Sequence, residues 1–136
     1  MENRFRFRVW FTPDYQEPEM IYDAEQTYDF GCQSKGSYYH DNFGEILEDK
    51  DCIVMQCTGL KDKNGKLIYE GDIVKFNFDT DEIKAVVSWD DKELIGFYLN
   101  TTDYFKDKYV TDYDFYKNDY EVIGNIYQNF ELLEDK

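Results

Sequence analysis

The stretch from Gln56 to Phe76 constrains this chain more than any other, because it packs a reversal, a second break and a strand into a short span. Asn64-Gly65 is a hairpin signal: both central residues of a type I′ turn need positive φ, which asparagine tolerates and glycine adopts freely. Gly71-Asp72 breaks the chain again. Ile73-Val74-Lys75-Phe76 then opens a run of β-formers that continues from Ala85 to Trp89, with Trp89 expected in the core. Turn, kink and strand in quick succession are the grammar of a small β-barrel.

The flanking segments extend this pattern. Arg4 to Val9 alternates at period two and predicts a half-buried strand, with Phe5, Phe7 and Val9 inward and Arg4, Arg6 and Arg8 on the opposite face. Pro13 and Pro18 frame a loop before Met20-Ile21-Tyr22, so the first two strands form a hairpin. Tyr28 to Phe30 and Ser37 to His40 are candidate short strands, and Asn42 to Lys50 one or two helical turns. Cys52 to Cys57 reads as a buried strand entering the central hairpin. Asp79 to Glu82 is a polar loop before the strand Ile83–Trp89, Asp90 to Lys92 a further turn, and Leu94 to Leu99 a further strand. Tyr120 to Tyr127 predicts a last strand, with Gly124 as a bulge or close-packing point. Asn129 is the expected N-cap of a terminal turn over Phe130 to Leu133, where Glu131 complements the helix dipole.

Three spaced pieces of this sequence resemble the YopX family, encoded mainly by bacteriophages and prophages. Thr58 to Lys66 running into Ile68-Tyr69-Glu70-Gly71-Asp72-Ile73-Val74 is similar to the family's central motif. Arg6-Phe7-Arg8-Val9-Trp10 followed by Met20-Ile21-Tyr22 matches its N-terminal signature, and Tyr120 to Tyr127 leading to Glu131-Leu132-Leu133 its C-terminal one. Phe130 departs from the pattern, since the family usually has proline there. The resemblance implies a mainly β, SH3-like, partly open barrel with an N-terminal β extension and a short C-terminal helical turn. It implies no activity, because the family has none established. The organisation expected is a β extension over residues 1–55 packed on a barrel over residues 56–136, the two folding as one cooperative unit.

Composition narrows the function classes. A chain of 136 residues that is 42% hydrophobic and 19% aromatic can bury a core despite its high charge. No apolar run approaches the roughly 20 residues of a membrane helix, and no signal peptide opens the chain, so the expected location is the cytoplasm of a bacterial host. Cys32, Cys52 and Cys57 are an odd set without secretory context and read as free thiols. A formal net charge of −15 repels polyanions, and the excess is spread evenly: residues 1–55 hold 5 bases and 12 acids, residues 56–136 hold 10 and 18. The partner class this favours is a basic host or phage protein, with no membrane and no nucleic acid; homo-oligomerisation stays open.

Two candidate surfaces emerge. From Tyr104 to Tyr120 aromatics interleave with aspartates and lysines. These aromatics suit strands and so can cover the barrel. The functional reading makes Tyr109, Asp112, Tyr113, Asp114, Tyr116 and Asp119 a contact for a basic partner, since tyrosine brings large area at low entropic cost. The row Arg4, Arg6 and Arg8 is first of all a set of cross-strand partners for carboxylates. Its functional reading is an anion contact, which with Trp10 would serve the alternative of a nucleic-acid-binding barrel. A further alternative is an acidic DNA mimic that inhibits a DNA-binding protein.

Catalytic and metal constellations are thin, so the expectation is a non-catalytic chain with no cofactor and no metal. His40 is the sole histidine, and with Cys32, Cys52 and Cys57 it makes a formal Cys3His set. The gap between Cys52 and Cys57 suits zinc, but a strand sends residues five apart to opposite faces. Asp79, Asp81 and Glu82 lack the spacing and glycine of an EF-hand, and no glycine loop is built to cradle phosphate. With 30 acids in the chain, close carboxylate pairs arise by chance and give glycosidase chemistry no specific support.

Overall fold

The computed structural model describes residues 5–14, 16–26, 40, 42–78, 81–92, 95–101, 108–109 and 120–134. The protein is mainly β with little helix, its strands antiparallel, and one of its sheets is curled into a half-barrel. It divides into two compact units, Met1–Cys57 and Thr58–Lys136.

In the first unit β1 (Phe7–Phe11) is the central strand. On one side it pairs with β2 (Glu19–Tyr22), from Arg8 opposite Tyr22 to Phe11 opposite Glu19, which is the expected hairpin. On its other side it pairs with β3 (Cys52–Lys61), from Phe7 opposite Gln56 to Phe11 opposite Cys52. Between β2 and β3 lies α1 (Phe43–Glu48), where Asn42 Oδ1 accepts the Glu45 N–H at 3.1 Å as N-cap. Val9, Phe11, Ala24 and Ile46 form the core, with Ile21, Phe43, Cys52 and Val54 packed against it.

Arg8 is not on an exposed face. The strand begins at Phe7, Phe5 is 61% exposed, and Arg8 is 2% exposed. Arg8 lies between Tyr22 and the buried Met55 on the two neighbouring strands, with its guanidinium over the Tyr22 ring at 5.9 Å and Nη1 donating to Tyr22 Oη at 3.4 Å. Period two correctly separates Arg8 from Val9, but a central strand has large neighbours on both sides, and that position is not written in the local pattern.

β3 continues into the second unit, where it neighbours β4 (Leu67–Tyr69) across the predicted reversal. The turn differs in type from the expected one. Gly65 has φ +86°, but among the described residues Asp23 and Ile95 are the non-glycines with positive φ, so Asn64 is not in the type I′ conformation. Gly65 N–H donates to Asp62 O at 3.0 Å and Asp62 N–H to Lys66 O at 2.8 Å, the signature of a three-residue loop ending in a left-handed glycine. Asp62 selects this loop, since Oδ1 accepts the N–H groups of Asn64 and Lys66 at 2.9 and 2.8 Å.

The rest of this unit is a meander of β5 (Asp72–Phe78), β6 (Asp81–Asp90) and β7 (Gly96–Thr101). The two-residue β8 (Lys108–Tyr109) lies on the β7 edge, and β9 (Glu121–Asn125) returns along β5. Ile68, Val74, Phe76, Ile83, Ala85, Val87, Leu99 and Tyr120 are its core. Trp89 continues the inward parity of Ile83, Ala85 and Val87 yet is 42% exposed, because it sits at the strand end, where Phe97 is stacked edge-on to it with ring centroids 4.9 Å apart. This corrects the expected core position.

Gly124 is both bulge and close-packing point. The β5–β9 register shifts between Ile73 and Val74, which face Gly124 and Val122, and a Cβ on Gly124 would meet Asn129 Oδ1 at 2.6 Å. Asn129 holds that place because its Oδ1 accepts the Asn125 N–H at 3.1 Å. It therefore does not cap α2 (Glu131–Glu134) with its side chain; its backbone carbonyl accepts from Leu132 N–H at 2.9 Å instead.

Candidate functional site

Three polar residues of the central motif, Thr58, Asp62 and Asp72, are buried, and their bonds show what they do. Asp62 uses its second oxygen to accept the Val122 N–H at 2.9 Å, while Lys63 N–H donates to Tyr120 O at 2.9 Å, so the hairpin loop is tied to β9. Asp72, 1% exposed, accepts the Tyr69 N–H at 2.8 Å. Beside it Gly71, at φ +90°, donates to Val87 O and accepts from Ile126 N–H. Thr58 Oγ1 donates to Ile68 O at 2.8 Å and accepts the Leu60 N–H at 3.1 Å. Each of these side chains satisfies main-chain groups that the tight turns leave without a ladder partner. The motif therefore builds the scaffold.

A different cluster collects groups with chemical capacity. His40 Nε2 lies 2.7 Å from Asp49 Oδ2, and the side chains are only 5% and 15% exposed. Since an ionised carboxylate only accepts, Nε2 carries the shared proton. Asp49 follows α1 directly, and its position is set by two backbone bonds and one of its side chain: its N–H donates to Ile46 O, its carbonyl accepts Cys52 N–H, and its Oδ1 accepts Asp51 N–H at 2.9 Å. The Cys52 thiol is pushed up from 9.0 to about 12, by burial first, then by the charge and hydrogen bond of Asp49, then by Asp51. One ligand atom from each of His40, Asp49 and Cys52 lies within 4.8 Å of the others. Cys57 is buried five residues along β3 and is not a member of this group.

Sequence reasoning weighed His40 and Cys52 and missed Asp49, which was hidden among many acids. The signal available was positional: His40 and Cys52 bracket a short capped helix whose last turn delivers Asp49.

The other sequence-derived candidates are placed as follows. Arg6 Nη1 approaches Asp23 Oδ1 at 3.8 Å, with both side chains about half exposed, which is the structural pairing expected of that row. Arg8 is buried beside Tyr22, and Arg4 lies outside the described residues. Of the acidic and aromatic stretch, Tyr109 falls in β8, whereas Asp112, Tyr113, Asp114, Tyr116 and Asp119 lie outside the described residues, as do Cys32 and the candidate strands at Tyr28 to Phe30 and Ser37 to Tyr39. Glu82, weighed as a calcium ligand, pairs with Lys75 at 3.4 Å across β5 and β6; Lys75 also lies 3.6 Å from Glu121 on β9. No helix among the described residues is long and apolar enough to cross a membrane.

The family profile described as YopX protein matches residues 6–134, which takes in the N-terminal strand, the Asp62 hairpin and the terminal helix. This chain belongs to the YopX family. Among solved structures, this YopX-family chain is similar to protein EF1440 from Enterococcus faecalis, at 25% sequence identity and a TM-score of 0.56, covering 94% of this chain and 96% of that one. No curated protein matches it.

Proposed function

We propose that this YopX-family chain is a phage or prophage accessory protein that works without catalysis, as a protein-interaction module on an SH3-like barrel in the host cytoplasm. The barrel reading rests on the meander β5-β6-β7 joined by β9 along β5, with the bulge at Gly124 bending the sheet. The observation that carries the functional reading is the use of Thr58, Asp62 and Asp72 for main-chain hydrogen bonds. A motif spent on building a scaffold leaves recognition to the surface, and that surface belongs to a chain of net charge −15. Its partner is a basic protein, with Tyr109, Asp112, Tyr113, Asp114, Tyr116 and Asp119 as the contact.

The test is a pull-down from the bacterial host and a mobility-shift assay with duplex DNA, run in parallel over a salt series. Expected are retention of a basic protein that weakens as salt rises, and no shift of DNA at physiological salt. Micromolar DNA binding that falls steeply with salt overturns the reading and promotes the nucleic-acid-binding alternative. Charge reversal of Asp112, Asp114 and Asp119 together should release the partner; retention would remove that stretch as its site. If the captured protein binds DNA and this chain competes with the DNA, the interaction is mimicry.

A further inference from the structure

The group of His40, Asp49 and Cys52 combines three donor types, an imidazole nitrogen, a carboxylate oxygen and a thiol sulfur, all within 4.8 Å of one another. All three come from one short segment in the first unit. Asp49 is fixed at the end of α1 by its backbone bonds to Ile46 and Cys52, and Cys52 opens β3. Its Oδ1 is held by Asp51 N–H, which leaves Oδ2 turned toward His40. His40 is 5% exposed and therefore pre-oriented, with little rotamer freedom left to lose on binding.

We propose that His40, Asp49 and Cys52 form a binding site for one divalent transition-metal ion of borderline softness, zinc being the natural occupant. The donor set decides the class. Thiolate with imidazole selects zinc and its neighbours over calcium or magnesium, which take oxygen ligands. Zinc bonded at about 2.0–2.3 Å sets its donors roughly 3.3–3.7 Å apart, inside the 4.8 Å that spans these three atoms. On binding, neutral His40 shifts its proton from Nε2 to Nδ1, so that the Nε2 lone pair goes to the ion, and Cys52 Sγ gives up its proton to solvent as its lone pair does the same; one proton leaves per metal bound. Three protein ligands leave a fourth tetrahedral position for water or another ligand.

The experiment uses the whole chain, reduced and freed of metal. Zinc is titrated calorimetrically and cobalt(II) by absorption, because cobalt in a tetrahedral thiolate site gives intense ligand-field bands and a sulfur-to-metal charge-transfer band. The expected result is one metal per chain, with the charge-transfer band lost in Cys52→Ser and kept in Cys57→Ser. His40→Gln and Asp49→Asn should each weaken zinc binding by more than about 100-fold, beyond what loss of an outer partner costs. A measurement on the unaltered protein guards against variants that misfold: one equivalent of zinc should slow alkylation of Cys52, read by peptide mass spectrometry, and leave the other cysteines unchanged. No saturable binding, a charge-transfer band that survives Cys52→Ser, or alkylation of Cys52 unaffected by zinc each overturns the assignment.

Discussion

The sheet of the second unit buries Val74, Phe76, Ile83, Ala85, Val87 and Leu99, whereas the first unit buries Val9 and Phe11 together with Arg8 and His40. In the second, alternation along β6 turns Ile83, Ala85 and Val87 inward, the buried polar residues Thr58, Asp62, Asp72 and Asn125 bond to main-chain groups, and charges pair across strands at the surface, as Lys75 does with Glu82 and Glu121. In the first, the apolar set is smaller, and the buried polar side chains are held by other side chains: Arg8 by Tyr22, His40 by Asp49. A pattern made of hydrophobic burial alone can be read from local periodicity. One that depends on which strand lies beside which cannot.

The largest effect expected separates the two kinds of interior. Leu99→Ala empties a fully buried site in the second unit and should cost about 2–5 kcal/mol in chemical denaturation. Arg8→Met, which exchanges a buried charge for an apolar chain of similar length, should cost less than about 1 kcal/mol. Equal losses in the two variants would erase the distinction drawn between the units.

Next comes the loop lock. Asp62→Ala strips acceptors from the N–H groups of Asn64, Lys66 and Val122 at once, and should destabilise by about 2–4 kcal/mol. Hydrogen exchange sharpens the test, because the Val122 amide should lose protection along with the hairpin loop. An unchanged Val122 amide would disconnect the hairpin from β9.

A smaller effect than the loop lock belongs to backbone conformation by itself. At Gly65 a side chain would meet nothing within 4 Å, yet φ is +86°, so Gly65→Val is penalised through φ and not through collision. A lowered melting temperature equivalent to about 1 kcal/mol is expected; a melt matching the parent would remove the left-handed requirement.

The sequence alone determined the antiparallel β class, the reversal at Asn64-Gly65, the break at Gly71-Asp72, the hairpin of β1 with β2 and the tight point at Gly124, because each depends on φ preferences or period-two burial within a few residues. Tertiary structure decided the rest. It chose a loop clamped by Asp62 over a type I′ turn, since the aspartate also had an amide of β9 to satisfy. It turned the Asn129 side chain from the helix toward Asn125, left Trp89 half covered at a strand end, and drew Arg8 inside between Tyr22 and Met55. It also set Asp49 against His40 and beside Cys52. Local propensity ranks conformations over neighbouring residues, whereas the partner of a buried polar group is set by chain elements that meet only after folding, where an unmet hydrogen bond costs enough to redirect a side chain.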